Sequence, residues 1–596
     1  MFKKWLEEND TIKFDFSAPL FPKASDRAFW DEKYDAEIIK DAESLLGCDW
    51  PLIRATQFMA FEKTGDRLAQ ENPHFARRQN LCALVIGEIL EHKGRFLPDI
   101  VDGLFAICEE SYWGLSAHKA YYGHKSTYLA NMKDPFIDLF AGETAATLAI
   151  VYHLLYDELQ EFCPDILARL EYELEHKVIN PYLSHTDWWW MGYDNKSVNN
   201  WNPWILSNLL TVFLIMPMSK ITRNDGIRKL IFEFQRIYDC TPADGGCDEG
   251  ATYWGVAGGT IFEFLEQLYI ATNGKISFYH DEKIQNIARY EYKAYVGNGY
   301  FANFADGEAK VIMCLGYILY MFGKRIGDEK LMSFSKELGD QDNIRNSHLR
   351  RKLFNLIYKK EYENTPAFVP NECSVFPVLE NSFVRNDKWY YAAKGGHNQE
   401  SHNHNDVGSF LVYYNNAPLL CDPGCGVYTK KTFSPQRYEL WNMQSGWHNL
   451  PVVNGIEEKE GKDFASNGFT LDGKTTKISF AKAYPKDARL NNLDREISIT
   501  DEGIDVVDKF DFDSENNTIS EHFICVLQPK IENNKVIISN KFVLEASTDC
   551  EISLDNVDFE GDAKFTKMWN ADKMNRVSFN FKAPKNTTIK FTLRRI

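Results

Sequence analysis

The pattern of apolar positions divides the chain into a helical part and a β part. From about residue 35 to about residue 360, apolar residues recur at intervals of three and four, as in "RRQNLCALVIGEILEHKG" and "NPWILSNLLTVFLIMPMS", which is the period of amphipathic helices. About a dozen such segments joined by short connections predict antiparallel helical hairpins. Because no repeat of fixed length recurs, a TPR or ankyrin solenoid is disfavoured, and we predict an α/α toroid.

The β part begins after the segment "YENTPAFVPNECSVFPVLEN", which is rich in Pro, Asn and Glu and has no helical period. Such a composition is typical of a linker. Beyond it, short alternating runs such as "SFLVYYNN" and "RVSFNFKA" are separated by Asn-Asn, Asn-Gly and Asp-Gly pairs, which predicts an antiparallel β-sandwich. Since the helices precede the strands, we predict an α+β multidomain chain, with a toroid domain at 1–370 and a sandwich domain at 371–596.

Composition indicates a soluble globular protein with more than one core, since 44% of the 596 residues are hydrophobic and 26% are charged. Apolar runs stay below the roughly 18 to 20 residues that span a bilayer. The formal net charge of −18, with no basic stripe to offset it, argues against nucleic acid or an anionic membrane as a partner. A polyanionic ligand would need a local basic lining, although lysines and arginines are more often solvated surface charges. The basic residues that could supply such a lining are Arg77, Arg78, Lys196, Lys430, Lys431 and Arg437.

The amino-terminal segment and the cysteines bear on the compartment. The start, "MFKKWLEENDTIKFDFSAPLF", has neither the continuous apolar segment nor the small-residue cleavage site of a signal peptide. Twelve cysteines are scattered without a CxxC pair, which is typical of reduced core thiols and disfavours a cysteine metal cluster. We predict a cytoplasmic protein; the alternative is a periplasmic or secreted protein whose signal peptide has been removed.

Two histidines alternate in the segment "SHNHND". On a β-strand alternate residues face the same side, so His402 and His404 are predicted to project together. Farther along, Asp422 lies in "LLCDPG" and His448 in "GWHNLPVVNG". Together with His404 they form a set of two histidines and one carboxylate, of the kind that binds Zn²⁺. From spacing alone the ordinary alternative, histidines that are hydrogen-bonded or at the surface, stays open.

The helical part contains the segment "SHTDWWWMGYDNKSVNNWNPW", in which six aromatic residues are interleaved with asparagines. Flat aromatic faces suit stacking on sugar rings, and amides suit hydrogen bonds to hydroxyl groups. Each tryptophan taken singly is more often a core residue, but this mixture with Asn and Asp is hard to bury. We therefore predict a solvated aromatic cleft, with Trp189, Trp201 and Asn199 as ligand-binding residues.

A glycine-rich loop leads into a helix at "TPADGGCDEGATYWGVAGG", where a ligand can approach the backbone closely. Two hypotheses stay open for this loop. In the first, Asp244, Asp248 and Glu249 supply the acid and the base or nucleophile of a glycoside hydrolase. In the second, Tyr253 is the reactive group and the carboxylates cap the helix amino terminus.

The chain resembles the heparinase II/III superfamily of polysaccharide lyases. The similarity rests on "NNW", "DEGATYW", "SHNHNDVGSF", "LLCDPG" and "HNLPVVNG", which occur in the order found in the family and extend over nearly the full chain. The resemblance implies a carbon–oxygen lyase that cleaves uronic-acid-containing glycans by β-elimination, with the toroid as its catalytic domain. The implied substrates are glycosaminoglycans such as heparan sulfate, chondroitin sulfate or hyaluronan. The alternatives are alginate or oligoalginate, a toroid glycoside hydrolase, and a non-catalytic carbohydrate-binding protein.

The resemblance also implies a role for each matching residue. Asn200 would neutralise the uronate carboxylate, His402 would reach that group from the sandwich, and Tyr253 would be the catalytic tyrosine. A histidine directly after the asparagine in several relatives is replaced here by Trp201, so Asn199 and Asn200 both remain candidates for the neutraliser. The implied ligands of a structural Zn²⁺ are His404, Asp422 and His448, and the predicted substrate-binding residues are Trp189, Trp201, Asn199, Glu249 and Arg437.

Overall fold

The computed structural model describes residues 1–119, 128–194, 197–310, 315–339 and 348–596. The chain forms two compact units, which are named here by their content. The helical unit comprises Met1–Thr241, Gly255–Ile284 and Met313–Phe368, and the sheet unit comprises Pro242–Trp254, Gln285–Ile312 and Val369–Ile596. The domain division after residue 370 stays a prediction, because compact units are defined by packing and not by independent folding.

Two segments from the helical half of the sequence belong to the sheet unit, namely 242–254 and 285–312. The Asp244 carboxylate of the first accepts the backbone N–H groups of Val378 (2.6 Å) and Leu379 (3.1 Å). The carbonyl of Tyr295 in the second accepts a hydrogen bond from the Arg385 guanidinium. Long-range contacts of this kind leave no periodic signal in the sequence. The composition of the linker therefore did not reveal that these two segments belong to the sheet unit.

Helices predominate before residue 364, as the three- and four-residue spacing of apolar side chains predicts. Of these, α13 and α16 lie in the sheet unit and α15 crosses from the helical unit into it, and the later helix α20 also belongs to the sheet unit. The helices of the described residues are α1 Phe2–Glu8, α2 Arg27–Trp30, α3 Ala36–Glu43, α4 Ala55–Thr64, α5 Leu68–Glu91, α6 Leu97–Cys108, α7 Leu139–Leu154, α8 Tyr156–Phe162, α9 Pro164–Leu174, α10 Asn180–Ser184, α11 Trp201–Ile215, α12 Lys220–Cys240, α13 Ala251–Trp254, α14 Gly258–Ala271, α15 Glu282–Ala288, α16 Tyr290–Ala294, α17 Gly316–Ile326, α18 Glu329–Gly339, α19 Leu349–Glu363 and α20 Ala563–Trp569.

Helices α7 and α11 lie at the centre of the helical unit. Both are buried along nearly their whole length, as expected for helices that are apolar on all sides. The Asp138 carboxylate caps α7 by accepting the N–H groups of Phe140 (3.1 Å) and Ala141 (2.7 Å). Gly142 faces α11, where a side chain at this position would lie 3.7 Å from Ile205. Among the described residues no single helix is long and apolar enough to cross a bilayer, although α7 and α8, bent by 78°, pass that test as a pair.

Strands predominate after residue 372, and the short pair β1 and β2 precedes them. The strands of the described residues are β1 Tyr295–Gly297, β2 Tyr300–Phe301, β3 Cys373–Phe376, β4 Asn381–Arg385, β5 Trp389–Lys394, β6 His397–Asn398, β7 Phe410–Tyr414, β8 Ala417–Leu420, β9 Pro451–Val453, β10 Gly461–Ala465, β11 Gly468–Asp472, β12 Thr475–Ser479, β13 Leu490–Ile499, β14 Gly503–Phe512, β15 Asn517–Cys525, β16 Pro529–Glu532, β17 Lys535–Ile538, β18 Phe542–Ala546, β19 Glu551–Asp558, β20 Lys573–Ala583 and β21 Asn586–Arg595.

The strands form antiparallel sheets, and the three largest sheets share one apolar core. Five strands pair in the order β3-β4-β5-β7-β8, eight in the order β11-β12-β13-β14-β21-β18-β17-β16, and four in the order β19-β20-β15-β9. Side chains from all three sheets, such as Phe410, Ile497 and Phe523, meet in one buried cluster. Stacked antiparallel sheets around a common core are the arrangement that the alternating pattern predicts.

The hairpin of β7 and β8 positions the segment before it and the segment after it. Its two-residue turn, Asn415 and Asn416, has φ values of +47° and +60°, the left-handed conformation that asparagine tolerates in tight hairpins. Residues 401–409 precede β7 as a loop and are not a strand. The prediction that His402 and His404 alternate on a strand is therefore wrong, because this loop is held by side-chain contacts and not by a strand ladder.

Candidate functional site

A buried carboxylate, that of Asp306, lies at the centre of the polar cluster in the sheet unit. Its Oδ2 accepts hydrogen bonds from His402 Nδ1 (2.8 Å) and from the Tyr428 hydroxyl (3.0 Å). Its Oδ1 lies 3.0 Å from His404 Nε2 and 2.5 Å from Arg437 Nη2. These partners hold the pKa of Asp306 well below its usual range, although burial alone would raise it. Asp306 is therefore an ionised acceptor that organises four side chains.

His402 lies on the 401–409 loop with a φ of +57°, a conformation that costs free energy for a residue other than glycine. Its Nε2 lies 3.4 Å from a Glu249 carboxylate oxygen. Burial lowers the pKa of His402, but the hydrogen bond and charge of Asp306 together with Glu249 outweigh burial and raise it. Because Asp306 holds Nδ1, Nε2 is the ring nitrogen placed for proton transfer, as in a histidine oriented by an aspartate.

Tyr253 lies on the short helix α13, directly against His402. Their rings stack with centroids 4.1 Å apart and planes inclined by 24°. The Tyr253 hydroxyl is hydrogen-bonded to the hydroxyl of Tyr428. Gly250, which precedes α13, has a φ of +83°, and a side chain there would lie 2.7 Å from the Phe304 carbonyl oxygen. Only glycine fits this turn without strain, and the turn sets the position of Tyr253.

The environment of Tyr253 keeps its hydroxyl protonated. Burial and the charge of Asp306 raise the pKa of the phenol well above its ordinary value near 10, and the hydrogen bond between the Tyr253 and Tyr428 hydroxyls offsets this only in part. The Tyr428 hydroxyl, which is similarly buried, also has a raised pKa. Tyr253 is therefore suited to give a proton to a leaving oxygen, whereas action as a base would first require its proton to be removed.

A second group lies beside this cluster and consists of His404, Asp422 and His448. All three residues are fully buried, and one potential ligand atom from each lies within 4.8 Å of the others. His448 Nδ1 lies 3.0 Å from Asp422 Oδ2, and the rings of the two histidines are 5.3 Å apart. The three side chains thus form a buried group that could hold a metal ion.

The donor set of this group fits a metal ion. His404 Nε2 is bonded to Asp306, while its Nδ1 is buried and has no hydrogen-bond partner. His448 Nε2 likewise faces an oxygen, the Asn442 carbonyl at 3.2 Å, and its Nδ1 faces Asp422. Metal-binding histidines typically donate one N–H to an oxygen and coordinate through the other nitrogen. In both histidines one ring nitrogen faces an oxygen outside the group, which leaves the other nitrogen for a metal ion.

Arg437 and Glu249, predicted to bind substrate, border the Asp306 cluster. Arg437 donates through Nη2 to Asp306, through Nε to the Asn403 carbonyl (3.0 Å) and through Nη1 to the Thr432 carbonyl (3.2 Å). Its guanidinium therefore balances the charge of a buried carboxylate in this structure. Glu249 is buried and approaches His402, as described above. Their roles toward a substrate stay predictions.

Two carboxylates of the glycoside hydrolase hypothesis are bound to backbone groups. Asp244 caps the turn at Val378 and Leu379, and it also accepts the N–H of Gly246 (3.1 Å). Asp248 accepts the N–H of Ser401 at 3.4 Å. These contacts are those of structural capping residues, so the loop geometry favours the hypothesis in which Tyr253 is the reactive group.

The other predicted site residues lie in the helical unit. Asn200 is the buried residue that precedes α11, and the Asn199 amide oxygen accepts the N–H of Trp201 (3.2 Å). The rings of Trp189 and Trp201 are partly exposed and pack 5.0 Å apart. The ring of His118 lies 4.8 Å from that of Trp201, but it is buried, and its Nδ1 is hydrogen-bonded to Asp138 (2.7 Å).

Part of the segment predicted to form a solvated aromatic cleft is buried instead. Trp188 and Trp190 are core residues, and the Trp190 indole donates to the Ile137 carbonyl (2.9 Å). Asn202 is fully buried and donates to the Trp190 carbonyl (2.9 Å). Alternating exposure along this irregular segment is set by tertiary packing, so the residue types did not reveal which aromatic rings are buried.

The predicted basic residues have different environments. Arg77 and Arg78 are buried in the helical unit and share the Glu110 carboxylate, so they are neither surface charges nor a free basic lining. Lys431 pairs with Glu439 at the surface, and Lys430 is exposed. Lys196 lies outside the described residues.

Asp306 and Tyr428 are the central residues that the sequence analysis missed. Asp306 lies in "ANFADGEAK", where one aspartate beside a glycine is indistinguishable from a turn residue. The same loop contributes Asn303, which donates to the Asp422 carbonyl (3.0 Å). Its Glu308 N–H is bound by the Thr252 hydroxyl at 2.7 Å. The only available signal for Tyr428 was its position shortly after "DPG".

Residues 380–557 match the model of the family described as heparinase II/III-like, C-terminal. The match covers less than a third of the 596 residues. The predicted resemblance to that superfamily is thereby confirmed. The matched segment contains His402, His404, Asp422, Tyr428, Arg437 and His448. Glu249, Tyr253 and Asp306 precede it along the chain. No curated protein matches the chain by sequence.

Solved structures resemble the whole chain. A heparinase III matches with a TM-score of 0.63 at 12% identity, over 94% of this chain and 84% of that one. A heparan sulfate lyase from Pedobacter heparinus matches with a TM-score of 0.59 at 11% identity, over 100% and 87%. A variant of a chondroitin AC lyase from Streptomyces coelicolor A3 matches with a TM-score of 0.50 at 10% identity, over 96% and 82%. At such identities the matches establish the fold, and they confirm the predicted α/α toroid followed by antiparallel sheets.

Proposed function

We propose that the protein is a polysaccharide lyase that cleaves uronic-acid-containing glycans by β-elimination. The observation that carries this proposal is the stacked pair of Tyr253 and His402, oriented by Tyr428 and Asp306. A protonated phenol beside an imidazole whose other nitrogen is held by a carboxylate provides a proton donor and a proton acceptor in contact.

The reaction requires two proton transfers and one bond cleavage. A base removes the proton on C5 of the uronate, the electron pair forms the double bond between C4 and C5, and the C4–O4 bond breaks. The departing O4 takes a proton from an acid, so that the products are a new hydroxyl end and an unsaturated uronate. Carbon oxidation levels shift only within the sugar, and no external oxidant or reductant is required.

Each step can be given to a residue of this chain. His402 Nε2 takes the C5 proton, and the ionised Asp306 strengthens it as a base by holding Nδ1. Tyr253, whose proton is retained by its surroundings, donates to O4. Asn200, in the helical unit, neutralises the substrate carboxylate, whose charge would otherwise oppose carbanion formation at C5. Trp189 and Trp201 offer partly exposed rings for sugar stacking.

We also propose that the buried group of His404, Asp422 and His448 holds a structural Zn²⁺. Two imidazoles and a carboxylate are ligands that Zn²⁺ prefers. The unpartnered Nδ1 of His404 supports this assignment. Such an ion would fix the segments that carry the three ligands, and the elimination itself would be performed by the side chains named above.

Glycosaminoglycans are the proposed substrate class, ahead of alginate. Support comes from the structures named as heparinase III, heparan sulfate lyase and chondroitin AC lyase that share the fold. A cytoplasmic location stays the sequence-based proposal, and it would favour imported oligosaccharides over long polymers.

The test is incubation of the protein with heparan sulfate, chondroitin sulfate, hyaluronan and alginate in separate reactions. The conjugated product absorbs in the ultraviolet, so absorbance should rise with one or more of these glycans, and the products can then be sized. Reducing ends without new absorbance would indicate a hydrolase, and binding without either product would indicate a carbohydrate-binding protein. Both outcomes would contradict the proposal.

A further inference from the structure

The two oxygens of Asp306 serve two different groups of side chains. Oδ2 binds His402 and Tyr428, which contact Tyr253, whereas Oδ1 binds His404 and Arg437. The carboxylate is fully buried, and each of these bonds is 3.0 Å or shorter. One side chain therefore links the proposed proton-transfer residues to the proposed metal ligands.

The hydrogen bond between Asp306 Oδ1 and His404 Nε2 determines which ring nitrogen of His404 faces the other two proposed metal ligands. With Nε2 bonded to Asp306, the ring presents Nδ1, its buried atom without a partner. Carboxylates that hold a metal-binding histidine in this way fix the ring and strengthen it as a ligand. Arg437 balances the negative charge, so that Asp306 can stay ionised in a buried position.

The hydrogen bond between Asp306 Oδ2 and His402 Nδ1 determines the position of the His402 ring. The unfavourable φ of His402 means that the backbone alone does not favour its conformation. Asp306 Oδ2 and the stacking on Tyr253 supply the interactions that hold the ring. The Tyr428 hydroxyl, bonded to the same oxygen, extends this support to the Tyr253 hydroxyl.

We infer that Asp306 is a positioning residue that serves both the group of His404, Asp422 and His448 and the pair of Tyr253 and His402. This inference rests on the function and the Zn²⁺ site proposed above. It touches neither reacting atoms nor metal, and it acts through His402 and His404. Its removal should therefore change two properties together, metal affinity and turnover, that otherwise depend on separate side chains.

The test compares Asp306→Asn with variants that affect one property each. Affinity of the metal-stripped protein for Zn²⁺ is measured by competition with a chromophoric chelator, and visible absorption of the Co²⁺ form reports the ligand geometry. Asp306→Asn should weaken Zn²⁺ binding by about 10- to 100-fold, alter the Co²⁺ spectrum, and lower kcat with a smaller change in KM. His402→Ala should lower kcat while Zn²⁺ affinity is retained, and His448→Ala should abolish Zn²⁺ binding.

Glu308→Gln is the matched control, because Glu308 lies on the same loop and forms only a partly exposed pair with Lys564 in the sheet unit (3.4 Å). It should leave Zn²⁺ affinity and turnover unchanged. If Asp306→Asn does not fold because Arg437 is left unbalanced, the double variant Asp306→Asn, Arg437→Gln removes both charges and permits the same measurements.

The outcomes separate this inference from the proposed function. Wild-type Zn²⁺ affinity in Asp306→Asn would overturn the shared role, even if turnover fell, and so would failure of the unmodified protein to bind Zn²⁺ or Co²⁺. If no glycan were cleaved by the unmodified protein, the proposed lyase function would fail, and Zn²⁺ affinity would decide the inference: a fall in Asp306→Asn supports it and an unchanged value overturns it.

Discussion

The hydroxyl of Tyr253 is hydrogen-bonded to a second hydroxyl, and its ring stacks on that of a histidine, in a largely buried setting near an ionised carboxylate. Each neighbour limits what the phenol can do. The nearby negative charge of Asp306 disfavours a phenolate, whereas Tyr428 holds the hydroxyl in a defined direction. At the scale of single residues, the chemistry of this site is therefore set by where the protons are held.

Replacement of Tyr253 by Phe tests the proposed role of Tyr253 as a proton donor. The variant keeps the ring that stacks on His402 and loses only the proton donor, so kcat should fall by about 10²- to 10⁴-fold while glycan binding is largely retained. Initial rates of absorbance increase and a binding isotherm measure the two effects. Tyr172→Phe, which removes a hydroxyl from an exposed tyrosine, serves as the control and should match the unmodified protein. Turnover retained in Tyr253→Phe would refute the role of donor.

Residue types predicted the group of His404, Asp422 and His448 better than they predicted Asp306, the carboxylate that holds His404. Histidine is infrequent in this chain, so His404 and His448 stood out together with Asp422 in a recognisable series. Asp306 is one of many acidic residues, and its importance comes from four partners that are 96 or more positions away along the chain. Contacts over such separations depend on the tertiary fold and leave no local pattern.

Short irregular elements, and not the long helices and strands, position the reactive side chains. The loop at 401–409, the turn at Gly250 and the loop around Asp306 all depend on backbone conformations or buried contacts that a hydrophobic pattern does not encode. The pattern predicted β7 and β8 with their Asn415-Asn416 turn, because strand alternation and turn residues are local signals. It predicted a strand for His402 and His404 wrongly, because no local signal distinguishes a buried polar loop from an alternating strand.

The turn before α13 can be tested by Gly250→Ala. A side chain there meets the Phe304 carbonyl oxygen and also requires a φ of +83°, so the variant should lose about 1 to 3 kcal/mol of stability and also lose turnover through Tyr253. Gly455→Ala provides the control, because Gly455 has a φ of +75° but open space around it. The control isolates the cost of the backbone conformation. An equal loss of stability in both variants would argue against a clash with the Phe304 carbonyl oxygen. The midpoint of urea denaturation measures the difference.

The 401–409 loop depends on a buried ion pair. Lys394 Nζ lies 2.5 Å from Asp406 and 3.2 Å from Glu400. Lys394→Met should leave two buried carboxyl groups without their cation, with a destabilisation of about 3 to 5 kcal/mol. The matched control is Lys509→Met, which removes a half-exposed pair with Glu496 and should cost less than about 1 kcal/mol. A urea midpoint for Lys394→Met equal to that of the control would contradict the structural role of the pair.

Both units contain a buried glutamate that resists ionisation. Burial raises the pKa of Glu233 in the helical unit to about 7, against the opposing effects of Lys229, Tyr182 and Arg236. Burial likewise raises the pKa of Glu458 in the sheet unit to about 8. For each group the folded-state pKa exceeds the unfolded-state value near 4.5, so its stabilising contribution is complete below that value and is lost as pH rises through the folded-state pKa.

The buried His348 and His522, whose pKa values burial lowers to about 3, have the opposite effect up to about pH 6.5. Between about pH 6.5 and pH 8.5 stability should therefore decline, by on the order of 2 kcal/mol through Glu458 and by less through Glu233. The net charge of −18 adds self-repulsion over the same range, which salt should reduce. Thermal midpoints across this pH range check the expectation. Glu458→Gln cannot ionise and should flatten the pH dependence, whereas Glu496→Gln, at a surface strand, should leave it unchanged. A midpoint that rises over this range would contradict the predicted sign.

Residues 242–254 and 285–312 belong to the sheet unit, and this limits where the gene can be divided or fused to another gene. A chain cut at the linker near residue 370 would carry His402 and the proposed metal ligands but leave Tyr253 and Asp306 behind. Gene fusion or domain shuffling at that boundary would thus transfer the sheets without the proposed proton donor. The two halves of the sequence are expected to have been inherited together, because the proposed site takes residues from both.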